Sequence, residues 1–278
     1  MKKFVVLILI LTVSNAYSQS PWVQKKGKAY TQLSFTSISG YTGLYGDPDY
    51  PTERKISDNT LQFFAEYGLT DKTSILLNIP FKMVKAGDLT NAANLTPITQ
   101  SGSESSLGNI EVGIKHVFSQ KKWIFSGQFN IEANSGNSYA NSGLRTGYDA
   151  WSFTPMFLAG RSFGNTYVQG FLGTNIRTNN YSSNFKIGGE VGTKAFKNIW
   201  LIGFVDISSS FKNGDVLIPA TNQQTGLYVN DQEYGAMGIK AIAELNKNFG
   251  VNVGFGGAFS GNNVPKRAAI SFGLYHKF

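Results

Sequence analysis

"AAISFGLYHKF", residues 268–278, is the stretch on which the fold turns. Ile270, Phe272, Leu274 and Phe278 fall on every second position, and only His276 breaks the apolar run. Ala269, Ser271, Gly273, Tyr275 and Lys277 lie between them. A period of two sends alternate side chains to opposite faces of a strand, so one face is apolar and the other small or polar. The last strand of a soluble sandwich has this pattern, and so has the closing strand of a membrane barrel. The rest of the chain separates the two.

Strand signals recur along the whole chain, at 28–39, 58–68, 73–85, 108–118, 123–134, 150–161, 166–177, 183–196, 199–211, 232–245, 249–260 and 267–278. No segment sustains a helical period. The connections alternate in length. Residues 69–72, 119–122, 162–165, 197–198 and 246–248 are tight turns. Segments 40–57, 86–107, 135–149, 178–182, 212–231 and 261–266 carry Gly, Asn, Ser, Pro and Asp and read as loops. Twelve strands, with short turns at one end and mostly longer loops at the other, predict an all-β fold: a single closed antiparallel transmembrane barrel over 28–278.

The amino terminus agrees with export. Lys2 and Lys3 precede an apolar-rich stretch, Phe4–Val13, and small residues Ala16 and Ser18 follow. Residues 1–18 read as a signal peptide too short in its apolar part to span a membrane. Residues 19–27 are then a periplasmic amino-terminal segment. The predicted location is the outer membrane of a Gram-negative-type bacterium. The chain has no cysteine, so disulfides cannot brace it outside the cell. Aromatic content of 14% with 31 glycines, at a mean hydropathy of −0.15, suits a barrel of short alternating strands. The formal charge of +8 is scattered over turns and loops and predicts no nucleic-acid surface.

The pleat assigns the faces. In 108–118, Ile110, Val112, Ile114, His116 and Phe118 oppose Asn109, Glu111, Gly113 and Lys115. In a barrel the apolar set faces lipid. Tyr67, Phe118, Trp123, Phe163, Tyr167, Phe196, Trp200, Phe249 and Phe278, all beside short turns, form a predicted interfacial girdle. Trp151, Phe211 and Tyr234 begin the other. Predicted inward charges are Glu66, Lys82, Glu111, Lys115, Glu132, Lys186, Glu190, Lys194, Lys240 and Glu244, five of each sign; Asp206 and Arg177 are weaker additions. Balanced signs predict an ion-pair network or a screening constriction rather than a single-sign selectivity ring. Gly188, Gly192, Gly254 and Gly256 lie at inward positions and leave space there. Twelve tilted strands give a backbone radius of roughly 12 Å, too narrow for a wide pore.

No catalytic constellation is visible. The two histidines, His116 and His276, are predicted to face lipid near the short turns, away from any nucleophile. No metal or other cofactor is expected.

Two stretches resemble a known family. "AEYGLTDKTSILLNIPF" (65–81) and "LGNIEVGIKHVF" (107–118) are similar to the outer-membrane transporter-like barrels named after the meta-pathway of phenol degradation. Leu107, Gly108, Gly113, Lys115 and Phe118 match the family run. Asn109 stands where Asp is usual, and His116 where Tyr is usual. The resemblance implies a barrel and an uptake role, often for hydrophobic compounds. The terminal Phe278 with its apolar alternation also resembles the signal read by the barrel-assembly machinery, which with outer-membrane lipids would be a partner. Three functions stay open: uptake of hydrophobic or aromatic compounds, passage of small polar solutes, and a structural or surface-interaction barrel.

Overall fold

The computed structural model describes residues 19–91, 93, 95–97, 99–219 and 224–278. The expected signal peptide, residues 1–18, lies outside them. The strands are β1 (Ala29–Tyr45), β2 (Tyr50–Thr70), β3 (Thr73–Ala86), β4 (Gly102–Leu107), β5 (Glu111–Gln120), β6 (Ile124–Glu132), β7 (Ser138–Tyr139), β8 (Leu144–Arg145), β9 (Ser152–Phe163), β10 (Thr166–Arg177), β11 (Asn184–Phe196), β12 (Ile199–Ser210), β13 (Glu233–Glu244), β14 (Phe249–Asn262), β15 (Val264–Pro265) and β16 (Ala269–Lys277).

Twelve of these form a closed antiparallel wall in the cyclic order β1, β2, β3, β5, β6, β9, β10, β11, β12, β13, β14, β16. The closing seam pairs β16 with β1, from Tyr30 opposite Lys277 to Ser37 opposite Ile270. Phe278 adds a backbone bond to the Ala29 carbonyl at 2.9 Å. Each unpaired backbone group in lipid costs several kcal/mol, about 4–8 on an alkane reference, so the last strand cannot be left as an edge.

Alternation along the strands is kept around the wall. Val112, Ile114, Leu172, Val191, Leu201, Ile239, Phe272 and Leu274 point outward and are exposed. Gln32, Glu66, Lys115, Gln128, Asn130, Gln169 and Ser271 point inward and are buried. Apolar outside and polar inside is the inverse of a soluble core.

The first hairpin departs from expectation. Segment 40–57 was expected as a loop, yet β1 runs to Tyr45 and β2 begins at Tyr50. Above the membrane both faces of a strand are wet or covered by loops, so the two-residue alternation that marks a strand disappears. Pro51, Glu53, Arg54 and Lys55 therefore sit in strand without its signature. Segment 86–107 likewise hides β4, which pairs with the outer half of β3, while β5 pairs with its inner half. The switch falls at Pro80, which has no N–H to give a ladder. The Gly108 N–H bonds to the Pro80 carbonyl there, at 2.8 Å.

Candidate functional site

The candidate site is the lumen. All ten charged residues read from the sequence lie on inward positions of their strands, and most pair with one another. Lys115 Nζ meets Glu66 Oε2 at 3.1 Å with both side chains buried. Lys194 Nζ meets Glu244 Oε2 at 2.6 Å, partly open to solvent. Lys240 pairs with Glu190, again buried. Lys82 pairs with Asp58 at 2.5 Å and donates to Thr60 Oγ1 at 2.9 Å. Asp58 was missed as a lumen residue, although its parity on β2 matches that of Glu66. Glu111 and Glu132 face each other across β5 and β6, with Lys186 supplying charge of the other sign to both and Arg177 adding it beside Glu132.

Asn109 is held by three hydrogen bonds. Its Nδ2 donates to Glu132 Oε1 at 2.9 Å and to the Tyr148 carbonyl at 3.0 Å. Its Oδ1 accepts from the Gly136 N–H at 2.9 Å. An Asp could only accept, and would set its charge against Glu132.

Three aromatics assigned to the girdles belong inside. Tyr167 donates to Glu190 Oε1 at 2.6 Å, Trp200 Nε1 donates to Glu244 Oε1 at 3.2 Å, and Tyr234 shares an inward face with Lys240. A position beside a turn does not choose a face; strand parity does. The inward glycines are not all spare space either. Gly188 lies opposite Phe171 and Gly192 opposite Tyr167 on adjacent strands, and those rings cover them. A Cβ on Gly188 would fall 2.7 Å from the Phe171 ring.

Chain segments fold into both ends. At the short-turn end, residues 19–26 enter the lumen. Lys115 Nζ donates to the Ser20 carbonyl at 3.0 Å, and Ser126 Oγ to the Pro21 carbonyl at 2.5 Å. The Gln24 N–H bonds Ser74 Oγ at 3.0 Å. Trp22 packs edge-on to Tyr167, with ring centres 5.9 Å apart. Gly160 and Gly68 permit this approach: a Cβ on Gly160 would fall 2.6 Å from Pro21 Cγ, and one on Gly68 would fall 2.5 Å from the Gln24 carbonyl. Gly27, at φ +73°, turns the chain out towards β1.

At the opposite end the loops fold inward. Arg54 is buried and donates to the carbonyls of Thr99, Gln100 and Ser142. Tyr41, Leu44, Ile56, Val84, Leu144 and Leu227 form an apolar cap. Arg145 holds the Tyr228 carbonyl at 3.1 Å and the Tyr181 hydroxyl at 2.5 Å. Burial pushes the Tyr228 phenol up to about 12. Neither Arg54 nor Arg145 stood out in the sequence, because both lie in segments read as solvated loops.

Between these segments lie cavities of about 350 Å³ and about 230 Å³. The larger is bounded by β1, β2, β3 and Tyr228, the smaller by β10 to β13 and Gln19. His116 and His276 both face outward at the short-turn end; His116 bonds Thr73 Oγ1 at 2.9 Å and His276 stacks on Phe249.

No family model and no curated protein sequence matches the chain. Its fold is similar to that of the COG4313 outer membrane channel from Pseudomonas putida F1, at TM-score 0.72 and 14% identity over 96% of this chain and 100% of that one. It is also similar to the translocator domain of autotransporter NalP from Neisseria meningitidis, at 0.55 and 10% over 92% and 90%. The KdgM porin is similar at 0.53 and 7% over 89% and 99%. At these identities the likeness establishes architecture: the chain folds as a closed transmembrane β-barrel of the outer-membrane type.

Proposed function

We propose that this protein is an outer-membrane channel for the passive passage of small polar solutes. The division of its faces carries the reading. The outward face is apolar, and much of the inward face is a charge-paired wall rich in amides and hydroxyls around the cavities beside Tyr228 and Gln19. The barrels it resembles include a channel and a porin, and we extend passage to this chain. Export by a signal peptide over 1–18 and insertion by the barrel-assembly machinery belong to the same proposal. Because residues 19–26 occupy the short-turn mouth, passage requires that segment to shift.

The family resemblance implies hydrophobic cargo instead. Two apolar clusters would suit it, Tyr30, Phe64, Leu76 and Tyr275, and Met156, Leu158 and Phe171. Further out, however, the wall carries Gln62, Asn78, Asn130, Thr154 and Asn175. A hydrocarbon that stripped such groups of partners would lose about 1–3 kcal/mol for each. Polar solutes therefore come first. Liposome swelling tests the order: vesicles holding the purified protein should swell in small sugars and amino acids faster than protein-free vesicles. Entry of labelled toluene with no swelling in polar solutes would reverse the order. Failure of both would leave the surface-interaction role.

A further inference from the structure

We infer that the cavity of about 350 Å³ beneath Tyr228 is a binding site for a neutral polyhydroxylated solute of saccharide type. The inference rests on the reading of the lumen as a solute path and names the class of solute. Its volume lies at the lower end of small-ligand pockets, about 300–1,000 Å³.

The lining sets the chemistry. Its charges already have opposite charges nearby in the wall: Lys82 pairs with Asp58, and Glu132, which accepts from Asn109, has Arg177 and Lys186 acting on it. An anionic solute would have to compete with Asp58 for Lys82, and a cationic one with Arg177 and Lys186 for Glu132. The rest of the polar lining is neutral. Gln62 and Asn78 sit side by side, Gln62 Nε2 donating to Asn78 Oδ1 at 2.7 Å, and each amide keeps a further donor or acceptor. Thr36 and Thr60 add hydroxyls, while Ile38 and Pro80 add aliphatic surface. Alternating hydroxyl and C–H surface is what a sugar ring presents. A hydrocarbon would leave the amides unanswered, and a peptide-like ion would find no free counter-charge.

The roof is built to be held rather than to rest. Tyr228 has φ +53° and Asp231 has φ +49°, both in the left-handed region that costs non-glycine residues energy. Their segment is tied down by Arg145 on the Tyr228 carbonyl, by Gln232 Nε2 on the Gly226 carbonyl at 2.8 Å, and by Lys82 beneath the Tyr228 ring at 5.4 Å. Tyr228 thus forms a fixed wall of the cavity beside Lys82.

Isothermal titration of the full chain in detergent with sucrose, and separately with phenol, tests the assignment. Sucrose should bind the wild-type protein, and the double variant Gln62→Leu/Asn78→Leu should weaken it at least tenfold. Thr60→Val, which removes one hydroxyl with little change of volume, should weaken it several-fold and serves if the double variant does not fold. Gln128→Leu, inward but outside the cavity, should leave sucrose affinity unchanged. No sucrose binding to the wild type, equal affinity in the Gln62/Asn78 and Thr60 variants, or tighter binding of phenol than of sucrose would each overturn the site. Swelling without sucrose binding would discard the site and leave the channel. Sucrose binding without swelling would do the reverse.

Discussion

Lys115→Met should be among the most damaging single substitutions in the lumen. Lys115 has no exposed side-chain surface, and Glu66 has 5%. Removing the ammonium leaves the Glu66 carboxylate buried without a counter-charge. Its Oε1 has no hydrogen-bond partner among the described residues, so local bonding does not compensate. Breaking a buried pair from one side costs about 3–5 kcal/mol. The bond to the Ser20 carbonyl is lost at the same time, which loosens the 19–26 segment. With a urea slope of about 2 kcal/mol/M, the midpoint should fall by roughly 2 M. The assay is reversible urea unfolding in detergent micelles, followed by tryptophan fluorescence and gel mobility. Glu66→Leu/Lys115→Met removes both charges and should recover most of the loss, because an apolar pair of similar volume is often neutral. A midpoint for Lys115→Met within about 0.3 M of wild type, taking roughly 0.5 kcal/mol as the resolution, would refute the reasoning. So would a double variant as unstable as the single one.

Other expectations follow from the same geometry. Asn109→Asp should destabilise by about 1.5–3 kcal/mol, the worth of a hydrogen bond to a charged group; unchanged urea stability would count against the Glu132 contact. Val253→Arg, facing lipid, should cost about 2–4 kcal/mol and more than Asn252→Arg, which faces the lumen; the reverse order would mean the faces are exchanged. Gly160→Val should push Pro21 and Trp22 off the wall, and iodide should then quench Trp22 fluorescence more strongly in a protein whose other tryptophans are replaced by Phe. Deleting Phe278 should impair insertion more than deleting one residue from 212–219, and normal heat-modifiable protein after its removal would defeat that idea.

The barrel was legible because lipid imposes a rule on every strand it touches. The alternation of Ile270, Phe272 and Leu274 is that rule written in sequence, and the ten inward charges follow from the same parity. Beyond the lipid the rule lapses. Residues 50–57 pair as strand outside the apolar band, where no face must be greasy, so nothing in their order announces it. Tyr167, Trp200 and Tyr234 were misplaced because aromatics beside turns suit both the interface and the inside. Parity with Gln169, Asp206 and Lys240 would have placed them. Phe171 and Tyr167 opposite Gly188 and Gly192 needed the register between strands, which one sequence does not state. The entry of 19–26 into the lumen had a faint signal only in Gly68 and Gly160, two inward glycines at the short-turn end of their strands.

Single-channel conductance in planar bilayers, comparing the full chain with a form lacking residues 19–26, tests the channel reading most directly. Brief or small openings are expected for the full chain, and larger, longer ones for the deleted form at equal membrane insertion. Properly inserted protein that passes no current in either form would contradict it.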